Sequence, residues 1–409
     1  MDGSLLRRDE TQHVTDQGVA LDHLRLGWRP IVGRDRRVLG VRIEIGLTPG
    51  TAESSSAATL GSVIAALADQ TTSPSRGIVV LAPTPASLIS DLQTIGQWTG
   101  RANVMLEIGA DALTARQLPL IEAAHQSGHR FVLRSSSHPL PRDSHRLFAA
   151  VIAAAAKDKH DGAALWVRDV HTRSDVESAL THGAQATIGW PLDEPMVEPS
   201  AGLEPTRRAV LDIVRLIQGD ADVIALERAF KSEPSLALML LSVINSPAFA
   251  PSSAQSAPIT SLRHAILVLG YKRLVRWLVL LLGVSSASTR SMPLVYMAVQ
   301  RGFFLEALAT QVGAVRDDLF VVGAFSLLQQ ITGHSHERLF ASAALPRPVL
   351  DAVRAHQGVY GVYLALAEVI ERGDAIGSER AGQLVGVSMG QINAALLSSL
   401  AAADAITMN

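Results

Sequence analysis

The chain changes character near residue 190, and that change constrains its fold more than any single motif. Before it, short apolar runs alternate with helix-like stretches. Val38–Leu47, Ile78–Ala82, Val104–Ile108, Phe131–Leu133, Ala164–Val167 and Ala186–Gly189 read as strands. Ala57–Ala68, Pro85–Trp98, Ala112–Gln126, Asp143–Lys157 and Ser174–His182 read as helices between them. These strands are apolar on both faces, as parallel strands covered by helices must be. The segment Pro191–Pro205, with four prolines and three glutamates, ends the alternation. Past it only the helical period remains. It runs through Thr206–Leu216, Val223–Lys231, Ser235–Ile244, Ser261–Leu282, Met292–Val312, Asp317–Ile331, Pro348–His356, Gly361–Arg372, Glu379–Leu384 and Met389–Ala403. The expected fold class is α/β plus all-α. The expected organisation is a frayed leader over 1–20, an α/β domain over 21–195, a linker over 196–205 and a helical domain over 206–409.

Several function classes drop out on composition. Apolar types make up 48% of the 409 residues and charged types only 18%, so most of the chain must be buried rather than disordered. A formal net charge of −2 attracts neither nucleic acid nor an anionic membrane. With no cysteine, disulfides, thiolate metal sites and a cysteine nucleophile are excluded. Met1–Leu21 has no apolar core of a signal peptide, and the most apolar stretch, Ala265–Val284, carries Lys272, Arg273 and Arg276. A spanning helix needs about 20 nearly uninterrupted apolar residues, so the cytoplasm is the expected compartment. No glycine-rich phosphate loop follows a strand, and no G-x-S-x-G elbow occurs.

Two segments carry a family resemblance. Gly27-Trp28-Arg29-Pro30-Ile31-Val32, a turn at Arg34-Asp35-Arg36, and Val38-Leu39-Gly40-Val41 resemble the opening of EAL domains, a "Q-P-I" strand followed by "G-x-E-A-L". Val243-Ile244-Asn245-Ser246-Pro247-Ala248-Phe249, then Ile259 through Ile266 and Leu269-Gly270, resembles the HDOD signature, with Asn245, Ser246, Ser261, His264 and Gly270 as its marked positions. The order is similar to that of bacterial EAL–HDOD regulators. It implies a TIM-like, degenerate EAL barrel followed by a helical, HD-related HDOD domain.

EAL domains hydrolyse cyclic di-GMP with Mg²⁺ or Mn²⁺ held by carboxylates at the strand ends. By the resemblance, Arg42 stands where the glutamate of the motif belongs, and Glu107 matches a ligand position. Arg134 and Ser135 replace two aspartates, and Arg168 and His171 replace two glutamates. A one-residue offset would bring Glu44 or Asp169 toward a ligand role. In the helical half, Ser326-Leu327 or Gln329-Gln330 falls where an HD pair would bind metal. These substitutions lead to the expectation of a protein that is not an enzyme, holds no metal or cofactor, and acts through contact with other signalling proteins in cyclic di-GMP-linked control. Two alternatives stand beside it: a non-hydrolysing receptor for cyclic di-GMP or another phosphorylated ligand, and a residual metal-dependent phosphodiesterase. No direct nucleic-acid or membrane partner is expected.

Individual residues have sharper and blander readings. Arg42, Arg134 and Arg168 either form an anion pocket, since guanidinium suits phosphate, or are merely solvated and salt-bridged. Glu107 is expected to pair with a neighbouring arginine. His264 is expected to pack within its helix, His334 and His336 to lie in an exposed loop, and Lys272, Arg273 and Arg276 to form a solvated stripe.

Overall fold

The computed structural model describes residues 21–48, 56–68, 74, 76–83, 103–113, 117–136, 144–155, 163–194, 205–231, 240, 244, 262–284, 292–309, 313–340 and 346–407. It opens on a hairpin. β1 (Leu24–Gly33) turns back through Arg34–Arg37 into β2 (Val38–Leu47), antiparallel, with Arg29 opposite Arg42 and Gly27 opposite Glu44. From β2 onward the strands are parallel: β3 (Ile78–Pro83), β4 (Val104–Gly109), β5 (Arg130–Arg134), β6 (Phe148–Ala153), β7 (Ala164–Val167) and β8 (Ala186–Ile188). β8 then pairs antiparallel with β1 and the barrel closes. Gly40 is required where β2 meets β3, because a Cβ there would lie 1.9 Å from the carbonyl oxygen of Ile78.

Two strands escape the apolar-run reading. β1 interleaves arginine, tryptophan and proline, and shows itself only through the resemblance. β6 lies inside the stretch Asp143–Lys157, expected to be helical; only Ser144–Leu147 forms a turn of 3₁₀ helix there. Alanine favours helix by propensity, but the Phe148–Ala153 backbone completes the ladder between β5 and β7. The all-parallel expectation is corrected by β1 alone.

Inside the barrel, Ile31, Val80, Met105, Val132, Ala150, Ile152, Trp166, Ala186 and Ile188 form a dry core. Outside, α1 (Ser56–Ala68), α2 (Leu118–Gln126) and α3 (Arg173–Thr181) cover part of the wall. α3 starts at a capping box in which Thr172 accepts from the Asp175 amide and Asp175 accepts from that of Thr172. The helical half follows: α4 (Pro205–Gln218), α5 (Val223–Lys231), α6 (Leu262–Val284), α7 (Met292–Leu308), α8 (Gly313–Phe325), α9 (Leu328–Thr332), α10 (His336–Phe340), α11 (Arg347–Ala355), α12 (Gly358–Arg372), α13 (Ala375–Val385) and α14 (Met389–Thr407). α6 breaks at Gly270, whose φ of 72° and ψ of 156° belong to a region open essentially to glycine.

The two halves share one wall. α7, α12 and α14 pack on β1, and α14 also reaches α1. Asn393, fully buried on α14, accepts from the Leu26 amide at 3.1 Å and donates to the carbonyls of Leu21 and Leu24 at 2.9 and 2.8 Å. Asp404, near the end of α14, accepts from the amides of Arg76 and Gly77 ahead of β3. Asp22 accepts from Ser388 and from the Gly390 amide. Part of the barrel therefore takes its outer cover from the second half of the chain.

No single described helix is long and apolar enough to cross a membrane; the bent pair Gly377–Val385 and Met389–Ala405 passes only when joined. The expected leader and linker, the helices at Pro85–Trp98 and Ser235–Ile244, and the positions Asn245, Ser246 and Ser261 lie outside the described residues, apart from Pro205, Leu240 and Ile244.

Candidate functional site at the barrel mouth

The parallel strands all end at one rim, and β1 begins there. Along β1 and β2 every second residue faces the lumen, so apolar Ile31 lies deep and Arg29, Gly27 and Arg25 follow toward the mouth. Across the hairpin Arg42, Glu44 and Gly46 do the same. A cavity of about 420 Å³ opens at this rim. Its lining holds five arginines, Arg25, Arg29, Arg42, Arg134 and Arg168, against two carboxylates, Glu44 and Asp169. The three arginines singled out from the sequence thus meet in one place. Arg25 and Arg29 are not among those three; their even, four-residue spacing, which keeps both on one face of a strand leading to the rim, is the signal that marks them.

Beneath the cavity the charges are tightly paired. Glu107, buried on β4, accepts two hydrogen bonds from Arg42, from Nε at 2.5 Å and from Nη2 at 2.9 Å. Arg42 Nη1 also donates to Glu44. Burial works against the charge of Arg42, but the bonds and charges of Glu107 and Glu44 outweigh it and raise its pKa above the ordinary arginine value. Arg134 lies 3.7 Å from Glu107 and 4.0 Å from Asp111; Arg29 lies 3.9 Å from Glu44; Arg168 donates to Asp169. The expected pairing of Glu107 with a neighbouring arginine is present. Ser135 is half-buried, its amide bonded to the Ile152 carbonyl, and His171 is exposed ahead of α3, its amide bonded to Asp175. Neither lines the cavity.

A divalent cation does not fit this arrangement. Both Glu107 oxygens face Arg42, the other rim carboxylates face guanidinium groups, and no three metal-ligating side chains converge among the described residues.

In the helical half the HD-like position is sealed. Arg301, buried on α7, donates to Glu371 through Nε at 2.9 Å and Nη2 at 2.6 Å, and to Ser326 through Nη1 at 2.7 Å. Ser326 in turn donates to the Gly323 carbonyl. Three readings need correcting here. His264 is exposed on α6 rather than packed. His334 is buried and His336 half-buried rather than looped into solvent, because Gly333 in a left-handed C-cap ends α9 and α10 starts at His336. Arg276 leaves the solvated stripe to pair with Glu306 at 2.6 Å over the ring of Phe320; Lys272 and Arg273 are exposed as expected.

The HDOD domain family model matches residues 204–336. The closed barrel stands ahead of the matched segment. A relative in Vibrio cholerae serotype O1, named cyclic di-GMP phosphodiesterase CdgJ, is 26% identical over 214 residues, covering 52% of this chain and 49% of the relative. The chain spans about half the length of this relative. Solved structures overlap more loosely. The Bacillus subtilis YkuI protein with its EAL domain, in complex with cyclic di-GMP and calcium, is 12% identical at a TM-score of 0.33, covering 63% of this chain and 74% of its own. The Pseudomonas aeruginosa FimX EAL domain bound to cyclic di-GMP is 12% identical at a TM-score of 0.32, covering 45% and 95%.

The relative overturns one expectation, that the chain is not an enzyme: its counterpart is named a phosphodiesterase. Substitution at single motif positions does not decide the chemistry of the rim, where Glu44 and Asp169, one or two positions from the substituted sites, line the cavity. A motif position says which residue occupies a pattern, not which carboxylates meet in space.

Proposed function

We propose that the barrel binds cyclic di-GMP at its C-terminal mouth, phosphodiester oxygens on the arginines, and that the chain acts in cyclic di-GMP signalling through this site. One observation carries the reading: five arginines against two carboxylates in a single cavity whose volume falls in the usual small-ligand range of roughly 300–1,000 Å³. Guanidinium groups match phosphate oxygens in a planar, bidentate fashion, and gathering them in one recess concentrates their charge. A second reading, turnover of the bound dinucleotide, is favoured by the name of the Vibrio relative. Output through contact with another signalling protein belongs to the same proposal. It is supported by Leu267 and Val268, exposed on α6 beside the Gly270 break.

The test is a calorimetric titration with cyclic di-GMP, with and without Mg²⁺, the mixture then assayed for the linear dinucleotide. Saturable binding is expected, weakened about tenfold or more by Arg134→Ala, since a charge-assisted hydrogen bond contributes roughly 1.5–3 kcal/mol. Absence of heat removes the ligand reading. Metal-dependent product selects turnover.

A further inference from the structure

The five arginines at the mouth are not equivalent. Arg42 spends Nε, Nη1 and Nη2 on Glu107 and Glu44. Arg168 is held by Asp169, Arg134 stands between Glu107 and Asp111, and Arg29 faces Glu44. Each has a carboxylate that an incoming anion must compete with. Arg25 is different: it lines the cavity half-buried, and its guanidinium makes no ion pair or hydrogen bond with another described residue. None of its five N–H donors is taken by a described residue.

The hairpin holds that guanidinium in place. Arg25 pairs in register with Gly46, and a Cβ at Gly46 would lie 2.9 Å from Arg25 Nη2. The side chain therefore lies across the space that a side chain on β2 would fill. Facing it is the other half of the protein. Ile370, Gly373 and Ser378, from the end of α12 and the start of α13, line the same cavity. The Gly373 Cα and the Ile370 carbonyl oxygen each come within 3.7 Å of where a Cβ on Gly27 would stand. Gly373, at φ 70°, is the left-handed residue that stops α12 at this spot.

We propose that Arg25 is the anchoring cation for a phosphate group in the barrel-mouth cavity and that the α12–α13 turn of the helical half completes this site. The proposal rests on the reading of the mouth as a phosphate site and deepens it. A ligand seated there touches both halves at once, so occupancy is felt by the HDOD side without a separate relay.

The test uses the full chain and two probes, cyclic di-GMP and inorganic pyrophosphate, titrated calorimetrically against wild type, Arg25→Ala and Gly46→Ala. Amide hydrogen exchange of residues 370–378 is followed with and without saturating probe. Arg25→Ala is expected to weaken binding at least tenfold while leaving the thermal midpoint unchanged, because the side chain has no partner to lose among the described residues. Gly46→Ala should weaken binding as well, by displacing the guanidinium with its charge intact. Saturation should slow exchange over 370–378. Wild-type affinity in Arg25→Ala, or unchanged exchange over 370–378 at saturation, overturns the proposal while leaving the mouth as a ligand site. Pyrophosphate binding that depends on Arg25, with cyclic di-GMP silent, upholds the proposal and removes the dinucleotide reading. If neither probe binds wild type, both fall.

Discussion

Two buried arginine–glutamate pairs lie at or beside the two places where the resembled families hold metal, and they behave differently. In the helical half, Arg301 is enclosed by Glu371, Ser326 and, at 3.8 Å, Glu368. In the barrel, the Arg42–Glu107 pair forms the floor of an open cavity ringed with further arginines. The same chemical pairing is a staple where walls close over it and a platform where they do not. Burial alone does not distinguish the two, since both arginines are less than a tenth exposed. What distinguishes them is whether more cations surround the pair than its carboxylates can satisfy.

That contrast is open to attack. The largest effect is expected from Arg301→Ala. It strands Glu371 in the helical core, and breaking a buried pair on one side typically costs about 3–5 kcal/mol. Urea denaturation followed by circular dichroism measures it, and an unchanged midpoint would remove the staple. Arg42→Ala should cost less, about 2 kcal/mol, because Arg134 at 3.7 Å can take over Glu107 and water reaches the cavity. Equal losses for the two variants would erase the distinction between staple and platform. The smallest effect is a pH dependence confined to the helical half. Burial, with Arg354 and His356 nearby, holds the His336 pKa below its ordinary value of 6.5. The unfolded chain then takes up the proton first. Stability is full above about pH 6.5 and declines as pH falls from there through the lowered folded value. His336→Gln should flatten that decline in a pH series of melting curves, and an identical slope in both proteins would exclude His336 as its source.

The sequence displayed most of the architecture where periodicity and environment agreed. Val223–Lys231 is helical over the expected residues, and the parallel strands with two buried faces stood out as apolar runs. It misled at Phe148–Ala153, where an alanine-rich strand has the composition of a helix and only its neighbours decide. It hid β1, because a strand that faces a charged lumen on one side and a foreign helix on the other shows no simple alternation. The site was legible as three arginines. Arg25 was not, because what sets it apart is the absence of an ion-pair partner among the described residues and a glycine across the hairpin. Pairings in space leave no mark on a linear pattern.

The bonds from Asn393 to the edge of β1 have a consequence for biosynthesis. They join residues 367 to 372 positions apart, and Asp404 reaches back 327 and 328 positions to the residues just ahead of β3. The first strand thus leaves the ribosome long before the helix that covers it. Contacts of such long sequence separation form late and slow folding. Until α14 arrives, the outer face of β1, with buried Leu24, Leu26 and Trp28, stays bare to water. A barrel released without its helical half would be a sticky intermediate rather than a free-standing domain. The nascent chain would depend on chaperones until its last turns emerge.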